Sequence, residues 1–188
     1  NGKTFQQIAE ECVEWFVATQ NGDGGWRYVP FPGDFSDQSN TGWTTMGLTY
    51  ANVKFGIDIS AVYPGLQNFV DNIQNKISGD PLYGGSQYYI NGGWENILKT
   101  GSLLYQFSML STPDADPDVQ AAIGFIENYW NSPGCDYNGG WLDHRQAMYC
   151  MMKGFEAYNV EMLDLDGDSI PETDWFDVMS THLVTTQN

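Results

Sequence analysis

Positive charge is what this sequence has least of. Seven Lys and Arg stand against 24 Asp and Glu, a net charge of −17 over 188 residues. Only Arg27 and Arg145 carry a guanidinium. Affinity for phosphate backbones comes from Lys and Arg, so this balance argues against a nucleic acid partner. It suits solubility, cation binding, or an extracellular or cell-surface setting. No apolar run approaches the ~20 residues that span a bilayer, which excludes insertion by a transmembrane helix. No signal peptide opens the chain, which therefore reads as a mature or excised form. Cysteine is scarce too. Cys12, Cys135 and Cys150 are three, so at least one is a free thiol or an intermolecular bridge. Cys12 and Cys150 sit among apolar helical neighbours and read as buried thiols, with a Cys135–Cys150 disulfide as the alternative. Strand signals are thin, confined to Leu82-Tyr83 and Gln87–Ile90.

What is present is helical periodicity. Seven segments carry it: about 4–19, 41–56, 64–77, 95–110, 117–130, 144–158, and Asp174 onward. In the first, Phe5, Ile8, Cys12, Trp15 and Phe16 fall on one face, with Glu10, Glu11 and Glu14 largely on the other. The second, fourth and sixth are apolar or small nearly all round, as in MGLTYA, TGSLLYQF and MYCMMKGF. A helix apolar all round is buried, and one with a stripe lies at the surface. The expectation is an all-α fold in which an inner row of helices is covered by an outer row. Gly-Gly-Trp recurs between helices, ending at Trp26, Trp94 and Trp141, which marks a helical-hairpin repeat with variable loops.

The run QNGDGGW, followed by Arg27–Pro30 and by Ser36–Trp43, resembles the Gln/Trp repeat of the α/α-toroid superfamily. That superfamily holds squalene and hopene cyclases, protein prenyltransferase β-subunits and prenyltransferase-like surface proteins. The similarity runs on through Gly139–Tyr158 and Asp174–Asn188. It implies a single domain, residues 1–188, of three hairpins plus the outer helix of a fourth. That is a partial ring within a longer chain, completed by adjacent hairpins or by a second copy. In that family the Gln and the loop Trp tie hairpins together, and Gln20 would correspond to Gln187. The chemistry of the enzymes is missing: no Asp-x-Asp-Asp box lies on an inner helix, and there is no Asp-x-Cys zinc pair. His144 and Cys150, six apart, fall on opposed sides of a helix, a poor geometry for zinc.

Two candidate sites remain. Residues 164–174 (DLDGDSIPETD) place carboxylates at positions one, three and five, with a backbone carbonyl at seven, the pattern of short calcium loops. The run resembles dockerin and thrombospondin type 3 loops, with Ser169 where they have Gly and Asp174 one position early. Candidate ligands are Asp164, Asp166, Asp168 and the Ile170 carbonyl, closed by Glu172 or Asp174; the plainer reading has Asp174 only capping the last helix. The second site is an aromatic mouth where the GGW loops gather: Trp26, Tyr28, Trp43, Tyr88, Tyr89, Trp94 and Trp141, with Arg145 beside them. Such a cleft suits a glycan or an apolar small molecule, although large aromatics equally serve as core. Asp143, His144 and Glu95 are the acid–base candidates should it be an enzyme, such as a polysaccharide lyase or hydrolase. The sequence therefore points to a calcium-stabilised binding or structural module, with a glycan-active or isoprenoid-handling enzyme as the alternatives.

Overall fold

The computed structural model describes residues 2–30, 35–132 and 141–187, and more than half of the chain is helical. Seven α-helices follow one another: α1 (Phe5–Ala18), α2 (Gln38–Phe55), α3 (Tyr63–Ile73), α4 (Ile97–Met109), α5 (Pro117–Tyr129), α6 (Arg145–Tyr158) and α7 (Trp175–Thr185). Their ends follow local chemistry. Thr4 and Gln7 form a capping box on α1, and Asp37, Asn96, Asp116, His144 and Asp174 cap the others through their side chains. Gly56 closes α2 in the left-handed conformation, and Pro sits in the first turn of α3 and α5.

The helices form two layers. α4 lies between α2 and α6; α1 covers α2, while α3 and α5 cover α4. Almost every side chain of α4 is buried, as its all-round apolar sequence predicts. Close approach comes from small residues: a methyl on Gly101 would meet the α6 backbone at Met151 at 2.6 Å. Inside this layer Gln38 and Gln106, both fully buried, exchange side-chain amide hydrogen bonds of 3.0 and 3.1 Å. α3 buries its whole stripe of Leu66, Phe69, Val70 and Ile73.

α1 does not. Only Val13 is buried, whereas Phe5, Ile8, Trp15 and Cys12 are exposed. The buried-thiol expectation thus fails for Cys12, because α1 sits at the end of the row with α2 as its main neighbour; Cys150 is a buried free thiol, raised to about 11 by burial. Cys135 lies outside the described residues. The strand candidates are turns, with one isolated bridge between Gln74 and Ser86. The two strands that do form, β1 (Met162–Leu163) and β2 (Thr173–Asp174), are antiparallel and two residues long.

The repeat is built differently from its tripeptide signature. The Gln20 amide donates to Gly24 O (2.8 Å) and to Val62 O (3.0 Å) at the approach to the next outer helix. Gln74 does the same to Gly84 O (3.1 Å) and Asp118 O (2.8 Å). Asn21 N bonds Gly25 O, and Asn75 N bonds Gly85 O. Trp26 N donates to Thr41 Oγ1 of α2 and Ser86 N to Thr100 Oγ1 of α4, both at 3.0 Å. The counterpart of Gly24-Gly25-Trp26 is therefore Gly84-Gly85-Ser86, and Gly92-Gly93-Trp94 is a separate turn. Both Gly24 (φ 98°) and Gly84 (φ 86°) are left-handed; a Cβ there would come 1.8 Å from Gly65 O and 2.1 Å from Ala121 O.

Candidate functional site

The acidic loop leaves β1 and returns on β2, so the two-residue ladder pins its ends together. Asp164 folds it from within, its two carboxylate oxygens accepting from Gly167 N (2.8 Å) and Ser169 N (2.7 Å). Ser169 takes φ 69°, so a serine occupies the left-handed position that calcium loops usually give to glycine. Asp164, Asp166 and Glu172 bring carboxylate oxygens within 4.8 Å of one another. Three carboxylates at that spacing repel unless protons or a cation intervene, and hard oxygens of this kind fit calcium.

Two of the remaining expected ligands are engaged within the chain: Asp168 accepts from Ile170 N, and Asp174 caps α7 through Phe176 N and Asp177 N. A residue the spacing did not reveal joins the loop from α5: Glu127 accepts from Asp164 N at 3.0 Å. Burial, and then the Asp164 and Glu172 charges, push its carboxyl above the usual range, while the bond from Asp164 N acts against them. Only the folded chain brings Glu127 to this loop.

The aromatic mouth divides into three. Trp26 and Trp141 are each 2% exposed and belong to the core. Their indoles donate to Phe16 O (2.9 Å) and Trp130 O (2.7 Å), tying loop to outer helix. Large flat side chains beside small turn residues fill inter-helix space, which removes both from any ligand surface. Tyr28, Tyr89 and Trp94 are exposed at the loop end, where Tyr88 lies beside Trp94 with ring centroids 5.4 Å apart.

Among the acid–base candidates, Glu95 is buried and accepts from Asn75 Nδ2 at 3.1 Å, the counterpart of the bond from Asn21 Nδ2 to Ser36 Oγ in the first turn. Asp143 pairs with His182 Nε2 at 3.0 Å, and His144 uses Nδ1 to cap α6. Arg145 is bonded to Leu142 O and approaches Thr186 Oγ1. Structural bonds thus engage the three acid–base candidates and Arg145 of the expected mouth.

Trp43 belongs to a third place, which the sequence reading did not assemble. A groove of about 780 Å3 runs along the face of the inner helices. Its walls are Trp43, Gly47 and Tyr50 of α2 and Tyr149, Lys153 and Glu156 of α6, with Tyr105 and Ser108 of α4 between them. Trp43 and Tyr149 stack across its end with centroids 5.7 Å apart and planes 18° from parallel. The signal was present, since 43/47/50 and 149/153/156 both repeat at i, i+4, i+7. Lys153 binds Glu156 at 2.7 Å, and that bond holds its ammonium above the ordinary lysine range. The groove therefore offers aromatic plates, hydroxyls and one internally neutralised ion pair. Glu156 is the one carboxylate among the groove-lining residues described, so the two-carboxylate arrangement of most glycosidases is not assembled there.

No helix among the described residues is long and apolar enough to cross a membrane. Comparison with known protein families, with curated proteins and with solved structures finds no match for this chain.

Proposed function

We propose that the chain is a non-catalytic binding module of a secreted or cell-surface protein, stabilised by one calcium ion, whose ligand lies in the inner-helix groove. The observation that carries this reading is the groove itself. Its volume lies in the range of small-molecule sites, and its aromatic plates carry a few polar groups at their margins. A neutral glycan fits such a lining, because sugar rings present apolar C–H faces and a rim of hydroxyls; an apolar small molecule is the second ligand class. The −17 charge disfavours polyanionic partners. Stacking of hairpins through Gln20 and Gln74 supports the toroid-like reading, with further hairpins or a second copy completing the ring.

Calcium would be held by Asp164, Asp166 and Glu172, and would supply charge compensation that joins the loop to the base of α7. Two experiments test the reading. Titration with neutral oligosaccharides quenches tryptophan fluorescence in the parent and not in Trp43→Ala; a flat response across oligosaccharides and an apolar dye would sink the ligand assignment. Calcium at about 100 times its Kd raises stability by ~2.7 kcal/mol, reversed by EGTA. A melting midpoint indifferent to EGTA removes calcium from the account.

A further inference from the structure

The groove continues beyond its own walls. α2 presents a row at Ser39, Trp43, Gly47, Tyr50 and Val53, one side chain per turn, while Thr41, Thr45 and Leu48 between them are buried. A cavity of about 170 Å3 lies where the inner helices begin, with Tyr28, Ser39, Tyr88 and Gln146 in its wall. The groove takes up the same row at Trp43 and carries it to Val53. On α6, Gln146 belongs to the cavity, and Tyr149, Lys153 and Glu156 belong to the groove. The stacked rings of Trp43 and Tyr149 stand at the join, one turn from the cavity on both helices. They are 49% and 39% exposed, so a ligand can pass over them from one hollow to the other.

Two features keep this track open and its plates in place. Gly47 sits in mid-helix, where glycine is less favourable than alanine, yet a Cβ there would meet nothing. Packing therefore gives no reason for this glycine, and its missing side chain leaves the floor clear between Trp43 and Tyr50. Trp94, beside the cavity-lining Tyr88, holds its place at φ 63°, a backbone conformation that bulky residues adopt only where surrounding structure forces it. The Lys99 ammonium lies 4.5 Å from the centre of its ring and fixes the plate, which is still 52% exposed. Backbone strain of this kind collects at ligand-binding positions.

We infer that the ligand of the groove is a linear neutral glycan longer than a disaccharide, extended as β-1,4-linked chains are. It lies along α2 from the cavity, across the Trp43–Tyr149 stack, to Tyr50. The inference rests on the groove reading and deepens it. Ser39 to Tyr50 spans about 16 Å at ~1.5 Å per residue, beyond the reach of one or two sugar rings. A row on a helix is straight, so it suits a chain whose rings follow one line and not one that coils, as α-1,4-linked glucans do. Trp43, Tyr50 and Tyr149 offer ring faces for stacking, and Ser39, Thr49 and Ser108 offer hydroxyls at the edges. No charge is needed on the ligand, because Lys153 and Glu156 already neutralise one another.

The test is isothermal titration calorimetry of the whole chain with cello- and malto-oligosaccharides of increasing length, from the disaccharide upward. Affinity for the cello series should rise by at least about tenfold between the disaccharide and the longest chain, and the malto series should stay flat. Gly47→Leu fills the floor with a side chain whose Cβ meets nothing, and should abolish that gain. Trp94→Ala acts at the other end, should reduce the gain, and serves if the first variant is unfolded. Three results overturn the extended chain while leaving the groove a small-ligand site: affinity that does not grow with length, equal affinity for both series, or a full gain in the folded variants. No response to any saccharide, with Nile red still bound, overturns the glycan and keeps the groove. No response to either refutes both readings.

Discussion

Two turns share the tripeptide Gly-Gly-Trp and almost nothing else. At 24–26 the glycines are buried against Gly65 and Phe69, the Trp is core, and Gln20 clamps the turn to the next outer helix. At 92–94 the Trp is 52% exposed on a left-handed backbone above Lys99, and a Cβ on Gly93 would meet nothing. The junction partners of the first turn recur at Gly84-Gly85-Ser86, where Ser replaces Trp and eight residues, not two, follow the Gln-Asn pair. What the first two junctions share is therefore the preceding Gln-Asn together with the left-handed glycine that meets a neighbouring carbonyl, and the aromatic residue is present in only one of them.

This comparison can be broken by substitution. Gly24→Ala combines a forbidden contact with backbone and a left-handed φ, and should cost more than about 4 kcal/mol, whereas Gly93→Ala should cost only about 1. Urea melts of the pair that agree within error would erase the distinction. Next, Trp26→Ala should lose ~3–5 kcal/mol by emptying a core position, while Trp94→Ala stays within about 1 kcal/mol. Gln74→Leu should cost ~1–3 kcal/mol, because two backbone carbonyls lose a buried donor; no change in midpoint would remove the clamp from the account.

The smallest effect lies at the acidic loop, which no glycine pair holds. Glu127 has a raised carboxyl pKa when folded, so the folded state loses stability as pH rises from the ordinary carboxylate value through the raised one. In EGTA, Glu127→Gln should match the parent below that window and exceed it above by less than about 1 kcal/mol after solvent screening. A difference of the opposite sign, or one independent of pH, refutes the burial argument.

Local chemistry made the helices legible. Asp116-Pro117, Gly56 and the unbroken apolar run of α4 each specify their element without help from distant residues. Burial was legible where a stripe has a partner on each side, as in α3, and misled where it does not, as at Cys12 and Trp15 in α1. The strands were invisible because two residues carry no periodicity. The groove was hidden for another reason: its walls come from helices about a hundred residues apart, and each contributes a short row that alone looks like core. Glu127 is the same case, a single acid on α5 that acquires meaning only when the loop folds onto it.

Gln38 and Gln106 show what a buried polar pair adds to an apolar interface. Leu, Met and Thr surfaces on α2 and α4 would tolerate several offsets along the helix axis, since dispersion contacts are forgiving of position. A slip of one turn, 5.4 Å, would strand both amides in a dry interior with every donor and acceptor unmet. The pair thus acts as a phase key. It adds little to the strength of the packing, and it leaves one alignment of α2 against α4.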